Sequence, residues 1–210
     1  MSLRLQLSTA RLYGIVDLGY VSAEGAPRVT QAMLDGGVQI IQLRAKNHPA
    51  SEITALARDL APLCRAAGVP FILNDHPALV PETGADGAHV GQQDMTVAEA
   101  RRLAGPGKII GKSTHSLAQA LAAQEEKPDY IGFGPLFATP TKPDYAPIGI
   151  SGIAEVHRLV SLPIFCIGGV KKENLPALIA AGARRVVIVS GILQAADIPR
   201  YCRSCLSRLD

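Results

Sequence analysis

The chain has 210 residues, of which 48% are hydrophobic and 19% are charged. This composition supplies enough apolar side chains for a sizeable core and excludes an intrinsically disordered protein. The formal net charge is +3, without a long basic run or interleaved basic and aromatic residues. We therefore expect no nucleic-acid partner, and we expect the excess positive charge to act locally, at an anion site.

The first eight residues alternate between apolar and polar and lack the continuous apolar segment of a signal peptide. No apolar run in the sequence approaches the roughly 20 residues that span a bilayer. These patterns predict a soluble, cytoplasmic protein with no membrane partner.

In chain order, the sequence predicts eight short strands separated by helical segments. The strand segments are Leu12–Val16, Val38–Ile41, Val69–Leu73, Gly87–Val90, Ile109–Gly111, Tyr130–Phe133, Pro163–Ile167 and Arg185–Val189. Most are almost continuously apolar instead of alternating with polar residues. That pattern is typical of a parallel sheet covered on both faces.

The segments between the strands carry helix signals. Apolar residues recur at helical spacing at Ile53, Leu56, Ala57 and Leu60, and again at Leu175, Leu178 and Ile179. Capping boxes start two further helices at Thr96–Glu99 and Ser116–Gln119. Eight strands alternating with helices predict an α/β fold, a single-domain (β/α)₈ TIM barrel over residues 1–210. The alternative is an open doubly wound sheet, although no G-x-G-x-x-G follows the first strand.

The cysteines predict no function. Cys64 and Cys166 lie in apolar segments, as small core residues do. Cys202 and Cys205 form a C-x-x-C pair, but neither a second ligand pair nor a thioredoxin-like context accompanies them.

Polar residues concentrate where the predicted strands end, and in a (β/α)₈ barrel the loops after the strands build the active site. These positions are Gln42, Arg44, Lys46, Asn74, Asp75, His89, Asp94, Ser113, Thr114, His115, Thr139, Thr141, Lys142, Gly168, Gly169, Ser190 and Gly191. Taken singly, each has a structural explanation, such as a buried core histidine at His89. The opposite ends of the strands carry almost none of these groups, which favours a functional site.

These residues divide into two candidate anion sites, and the first is a phosphate site. Gly168–Gly169 and Ser190–Gly191 follow the seventh and eighth strands, where backbone N–H groups and a helix N-terminus form the recurrent phosphate site of such barrels. The loop after the sixth strand, ending in Thr139–Lys142, combines stiff prolines with hydroxyls and a positive charge.

The second candidate anion site is cationic and stronger: it comprises Arg44, Lys46 and Lys142, and it faces the carboxylates Asp75 and Asp94 on adjacent loops. Carboxylates would repel a phosphate alone, but they suit a Mg²⁺ ion placed between them and phosphate oxygens. The residues therefore predict a diphosphate and a separate monophosphate, carried by two small-molecule substrates.

These residues, in this order, resemble the thiamine-phosphate synthase family. The shared motifs extend over nearly the whole chain: Gln42–Lys46, Asn74–Asp75, His89–Asp94, Ser113–Ser116, Gly132–Lys142, Ile167–Gly169 and Val189–Ser190. The resemblance implies a (β/α)₈ barrel that uses Mg²⁺ and joins hydroxymethylpyrimidine diphosphate to a thiazole phosphate, giving thiamine phosphate and diphosphate. It leaves the oligomeric state, a homodimer included, undecided.

The resemblance also implies a role for each matching residue. Asp75 and Asp94 would bind Mg²⁺; Arg44, Lys46, Asn74, Ser113 and Lys142 would hold the diphosphate; Gln42 and His89 would lie near the pyrimidine; Thr139, Thr141, Gly169, Val189 and Ser190 would hold the thiazole phosphate. The chain departs from the family at Ala45, where an acidic residue is common, and at Lys112, which is more polar than usual. For Asp17 we expect a structural role.

The implied reaction is dissociative. Diphosphate leaves first, the ring amino group stabilises the resulting pyrimidine methylene cation, and the thiazole nitrogen attacks. Two alternatives stay open: a thiazole tautomerase-like paralogue, with His115 as general base, and a non-catalytic regulator that binds thiazole phosphate. Asp75, Asp94 and the segment Thr139–Lys142 favour the synthase.

Overall fold

The computed structural model describes residues 3–139 and 146–209. Its sheet is a closed barrel of eight parallel strands, in which each strand pairs with the next along the chain and the last pairs with the first. Closure confirms the TIM barrel and excludes the open doubly wound sheet.

All eight predicted strands are present. They are β1 (Leu12–Asp17), β2 (Ile40–Arg44), β3 (Phe71–Asn74), β4 (Gly87–Val90), β5 (Ile109–Thr114), β6 (Tyr130–Phe133), β7 (Ile164–Cys166) and β8 (Val186–Ile188). β5 continues to Thr114, beyond the predicted end at Gly111. Its polar end still pairs with β6, through Lys112 with Ile131 and Thr114 with Phe133.

Ten α-helices surround or close the barrel in the described part of the chain. They are α1 (Leu3–Thr9), α2 (Ala26–Asp35), α3 (Ala50–Ala66), α4 (Val80–Thr83), α5 (Val97–Ala104), α6 (Leu117–Glu126), α7 (Ile153–Leu159), α8 (Leu175–Ala180), α9 (Ser190–Leu193) and α10 (Ile198–Leu209). No helix among these combines the length and the apolar character needed to cross a membrane.

The predicted helix starts are confirmed. The side chain of Thr96 accepts a hydrogen bond from the backbone N–H of Glu99 at the start of α5, and Ser116 accepts one from Gln119 at the start of α6. The glycine that ends α4, Gly84, adopts a φ of 75°, which a side chain would disfavour.

The core has two layers. Inside the barrel lies a cluster that includes Tyr13, Tyr130 and Phe165, and Leu7 of α1 joins it from the amino-terminal end. The larger cluster fills the space between the barrel and the outer helices. In α8, Leu175 and Leu178 are buried, whereas Ile179, the third apolar residue at this spacing, is 37% exposed because the six-residue helix turns only one narrow face inward.

All four cysteines are buried free thiols. Burial raises the pKa of the Cys202 thiol to about 12 and that of Cys205 to about 11. Their thiolate forms, which metal binding and disulfide exchange both require, are therefore disfavoured.

Candidate active site

A cleft of about 900 Å³, counting its open mouth, lies over the carboxyl-terminal ends of the strands. All eight strands or the loops after them contribute to its walls. Among the predicted site residues, its lining contains Gln42, Arg44, Asn74, His89, Ser113, Thr139, Gly169, Val189 and Ser190. The fold therefore brings most of the predicted site together at the place expected for a barrel enzyme.

The floor of the cleft is aromatic. The rings of Tyr13, Tyr130 and Phe165 meet edge to face, with centroid separations of 5.9 Å between the tyrosines and 5.5 Å from each tyrosine to Phe165. All three side chains are fully buried. Edge-to-face rings pack rigidly, so they close the cleft against the barrel interior.

A chain of hydrogen bonds rises from this floor. The Tyr13 and Tyr130 hydroxyls lie 3.0 Å apart, and the Tyr130 hydroxyl lies 3.1 Å from Nδ1 of His89. Nε2 of His89 lies 2.9 Å from Oγ of Ser113. His89 is therefore not an isolated core histidine, because it links buried phenols to a hydroxyl in the cleft wall.

Gln42 supplies a buried acceptor. The residue is 3% exposed, it lines the cleft, and its Oε1 atom has no hydrogen-bond partner among the described residues. A buried polar atom without a partner costs about 1–3 kcal/mol. The position therefore suits a ligand that brings an N–H donor into the cleft.

Arg44 reaches the cleft from the end of β2, where an ion pair holds it. Its guanidinium lies 2.9 Å from the carboxylate of Asp17, which is the residue beside it in the β1–β2 register. The second carboxylate oxygen of Asp17 accepts a hydrogen bond from the N–H of Gly19 at 2.9 Å. These two contacts hold the Arg44 guanidinium in place beside the cleft, which is consistent with a structural role for Asp17.

Asp75 is held beside Lys46, whose ammonium lies 2.7 Å from its carboxylate. Its backbone has a φ of 63°, in the left-handed region, and its N–H donates to the carbonyl of His89 at 2.8 Å. Such a conformation costs roughly 1–3 kcal/mol and is concentrated at functional sites. The fold holds this carboxylate at the β3–β4 edge against that cost.

Asp94 lies in the loop after β4, the strand next to the one that precedes Asp75. The Asp94 side chain is exposed, and one carboxylate oxygen accepts a hydrogen bond from the N–H of Gly91 at 2.6 Å. Lys46 follows β2, Asp75 follows β3 and Asp94 follows β4. None of the three belongs to the cleft lining, as far as the described residues form it.

The predicted phosphate site lies on the loops after β7 and β8. Gly168 and Gly169 adopt φ values of 93° and 65°. A Cβ atom would lie 2.3 Å from Pro135 at Gly168 and 2.6 Å from Phe137 at Gly169, so this loop packs directly on the loop after β6. Both glycines line the cleft, next to the start of α9 at Ser190.

His115 also lines the cleft. Its backbone N–H donates to the side chain of Gln119 at 2.7 Å, and its Nδ1 atom donates to the carbonyl of Gly134. Because a carbonyl oxygen only accepts, this contact places a proton on Nδ1.

With this geometry in place, comparison with known proteins identifies the family. A family model described as thiamine monophosphate synthase matches residues 12–192. The chain belongs to this thiamine monophosphate synthase family.

Two relatives of similar length and one solved structure show the extent of the similarity. A thiamine-phosphate synthase of Thermus thermophilus is 44% identical over 182 residues, 86% of this chain and 87% of that one. One from Chloroflexus aurantiacus is 41% identical over 194 residues, 92% and 89% of the two chains. A thiamine phosphate pyrophosphorylase structure from Pyrococcus furiosus has a TM-score of 0.87 at 30% identity and covers 99% of this chain and 98% of that one.

Some family members are longer. A thiamine-phosphate synthase of Synechococcus is 42% identical, but the chain spans only 58% of its length.

The fold also resembles that of proteins with low sequence identity. At 18% identity, 3-hexulose-6-phosphate synthase has a TM-score of 0.71, which shows a shared barrel fold.

Two predicted site residues, Thr141 and Lys142, lie outside the described residues.

Three features of the site were not predicted from the sequence. They are the phenols of Tyr13 and Tyr130, and the ion pair of Asp17 with Arg44. The tyrosines are rare in this chain, at five in all, and two of them stand in predicted strands. That rarity is the signal that could have drawn attention to them.

The donor set fits Mg²⁺ only together with a phosphate-bearing ligand. The described residues contain no cluster of three or more histidine, cysteine or acidic side chains that could hold a metal ion. Mg²⁺ commonly takes one or two carboxylates, several waters and substrate phosphate oxygens instead. Asp75, which lies beside Lys46, and Asp94 supply one carboxylate from each of two adjacent loops, and two carboxylates match that smaller requirement.

Proposed function

We propose that the protein is a transferase that condenses hydroxymethylpyrimidine diphosphate with thiazole phosphate, releasing thiamine phosphate and diphosphate. Membership of the thiamine monophosphate synthase family supports the reaction class. The observation that carries the proposal is a single cleft whose lining has residues suited to an anion on each of two separate parts of its rim. One contains Arg44 and Asn74 after β2 and β3, and the other contains Gly169 and Ser190 after β7 and β8.

The floor and walls suit the pyrimidine ring. Tyr13, Tyr130 and Phe165 provide a dry aromatic surface, and the unpaired Oε1 of Gln42 would accept a hydrogen bond from the ring amino group. A site that leaves a buried acceptor unpaired discriminates strongly against ligands that lack the matching donor. Gln42 would therefore select an aminopyrimidine.

Departure of the diphosphate breaks its C–O bond, and the electron pair stays on the leaving oxygen. Arg44, fixed by Asp17, and Lys46 would neutralise that charge, together with Lys142. Preorganised cations lower such a barrier because they need no reorganisation when the charge develops. Mg²⁺, when bound by Asp75 and Asp94, would add charge neutralisation on the diphosphate oxygens.

The second substrate would bind through its phosphate at Thr139, Thr141, Gly169, Val189 and Ser190. Gly168 and Gly169 adopt positive φ values and pack on the loop after β6, so the backbone here is fixed, and its N–H groups would hold the phosphate. With the phosphate held there, the ring nitrogen would attack the methylene cation and form the new C–N bond. The attacking ring nitrogen uses its lone pair and loses no proton, so the step needs no general base and depends on the orientation of the two substrates.

The test is release of diphosphate and formation of thiamine phosphate from both substrates, with and without Mg²⁺. We expect product with both substrates and Mg²⁺ present, and a large loss in Gln42→Met, which keeps the side-chain length but removes the acceptor. Gln31→Met is the matched control, because Gln31 lies on the outer helix α2 and contacts Asp35.

The experiment also separates the alternatives. A regulator would bind thiazole phosphate without releasing diphosphate, and a tautomerase would act on the thiazole phosphate alone. A location in the cytoplasm and a homodimer stay predictions.

A further inference from the structure

The hydrogen-bond chain from the barrel floor to the cleft has a defined end. Tyr13 lies at its inner end, 1% exposed and packed in the cluster with Leu7, Ile40 and Ile72. Its hydroxyl has one hydrogen-bond partner among the described residues, the hydroxyl of Tyr130. Burial raises the pKa of both phenols well above the ordinary value, so each carries its proton.

The hydrogen atoms in the series Tyr13, Tyr130, His89 and Ser113 can point in one of two directions when His89 is neutral. In the outward arrangement Tyr13 donates to Tyr130, Tyr130 donates to Nδ1 of His89, and Nε2–H of His89 donates to Ser113. In the inward arrangement Nδ1–H donates to Tyr130 and Tyr130 donates to Tyr13. The proton of Tyr13 then has no acceptor.

The two arrangements differ in whether the hydroxyl proton of Tyr13 has an acceptor. A buried donor without a partner is strongly disfavoured, whereas an oxygen that accepts nothing is a common and less costly case. A doubly protonated His89 would force the inward direction as well, because both of its nitrogens would donate. The outward arrangement therefore satisfies every donor from Tyr13 to His89.

We propose that Tyr130, with Tyr13 behind it, is a positioning residue that holds His89 as the neutral imidazole with its proton on Nε2. Ser113 then accepts from His89, so its own hydroxyl proton is free to point into the cleft. Tyr13 polarises Tyr130 and strengthens the bond to Nδ1.

The direction of these hydrogen bonds decides what Ser113 offers to the ligand, a consequence that rests on the proposed function. In the outward arrangement Ser113 is a donor toward an anionic diphosphate or a ring nitrogen. In the inward arrangement Ser113 would donate to His89 and present only lone pairs, which would repel the oxygens of a leaving diphosphate. Only a donor stabilises charge as it develops there.

The test is ¹⁵N NMR of the full chain labelled on its histidine side chains. His89→Asn identifies the His89 signals among the five histidines. We expect a protonated Nε2 and an unprotonated, hydrogen-bonded Nδ1. A protonated Nδ1 in the wild-type protein would overturn the proposal.

Two conservative variants add a graded readout. Tyr130→Phe keeps the ring but removes the donor, so the Nδ1 resonance should move toward the value of an unbonded nitrogen, and kcat should fall roughly 5–10-fold, as for one hydrogen bond. Tyr13→Phe should move the resonance the same way by less. Tyr20→Phe, outside the cleft lining, is the control and should change neither readout.

The outcomes keep the two proposals apart. An unchanged Nδ1 resonance in Tyr130→Phe would refute the positioning role even if the protein is an active synthase. An Nε2-protonated His89 with the expected shifts, in a protein that releases no diphosphate, would support the positioning role and refute the proposed function.

Discussion

The ammonium of Lys112 donates a hydrogen bond to the carbonyl of Met95 at 2.9 Å, although Lys112 lies on β5 and is 3% exposed. Met95 directly follows Asp94. The same ammonium lies 4.0 Å from the carboxylate of Glu126, whose Oε2 accepts from the N–H of Val97 at the start of α5. A buried lysine on the outer face of the barrel thus ties β5 to the loop that carries a proposed metal ligand.

We predict that Lys112→Met lowers the free energy of unfolding by about 2 kcal/mol, because a hydrogen bond from a charged group is lost. It should also raise the Mg²⁺ concentration for half-maximal diphosphate release, because the Asp94 loop loses its anchor. Urea unfolding and a Mg²⁺ titration measure the two effects. Lys108→Met is a matched control: Lys108 donates to the carbonyl of Ala85 at 2.7 Å, at the other end of β5. Equal Mg²⁺ dependence in both variants would contradict the anchoring role.

Asp17 fixes Arg44, and Asp17→Asn should show it. Removing one partner of a largely buried pair leaves an uncompensated charge, so unfolding free energy should fall by about 3 kcal/mol. KM for the pyrimidine diphosphate should rise because the guanidinium is no longer held in the cleft wall. Asp35→Asn, at an exposed acceptor on α2, is the control. An unchanged KM in a folded Asp17→Asn protein would show that Arg44 needs no anchor.

The proposed metal ligands predict large losses of turnover. Asp75→Asn and Asp94→Asn should each lower kcat by roughly 10²–10³, as does removal of one preorganised electrostatic group. Asp59→Asn, on the exposed face of α3, should leave kcat unchanged. Activity of the wild-type protein that survives EDTA unchanged would count decisively against the metal.

Much of the fold follows from local sequence signals. Continuous apolar strands and capping residues such as Thr96 and Ser116 give the elements and their order, since each depends on neighbours along the chain. The end of β5 and the exposure of Ile179 could not be predicted in the same way. Pairing with β6 decides the first, and the packing of α8 against the barrel decides the second.

The site shows the same division. Residues such as Gln42, Arg44 and Ser113 could be predicted because their polar types stand at strand ends. The Asp17–Arg44 ion pair depends on the register between two strands, which the sequence does not display. The link from Tyr13 to His89 depends on where β1, β4 and β6 meet inside the closed barrel.

Stability should depend on pH through His157. Burial, assisted by Arg184 and Arg185, lowers the pKa of this histidine from 6.5 to about 4. Between these values the unfolded chain binds more protons than the folded one, so stability present above pH 6.5 is lost as pH falls toward 4. The free energy of unfolding, measured with urea at several pH values in this range, should change less steeply with pH for His157→Gln than for the wild type. His48→Gln, at a partly exposed histidine beside Glu52, is the control. Identical slopes for the wild type and His157→Gln would contradict the assignment.

His115 separates the synthase from the tautomerase. It lines the cleft, and its Nδ1–H donates to the carbonyl of Gly134, so it joins two loops of the site. A reaction that proceeds by departure of diphosphate does not require His115 to act as a general base. His115→Asn, whose amide can still donate to that carbonyl, should therefore keep kcat within about tenfold of the wild-type value, well short of the roughly 10²–10⁴-fold that a general base contributes.

The wild-type pH profile completes this test. In a synthase, kcat should not follow a single ionisation near pH 6.5, roughly the unperturbed histidine value. A tautomerase that uses His115 as its base would show such a limb, and His115→Asn would abolish both the limb and nearly all activity. His48→Asn controls for loss of a histidine outside the cleft lining. Near-complete inactivation of His115→Asn, together with disappearance of the limb, would replace the dissociative mechanism with proton transfer at this residue.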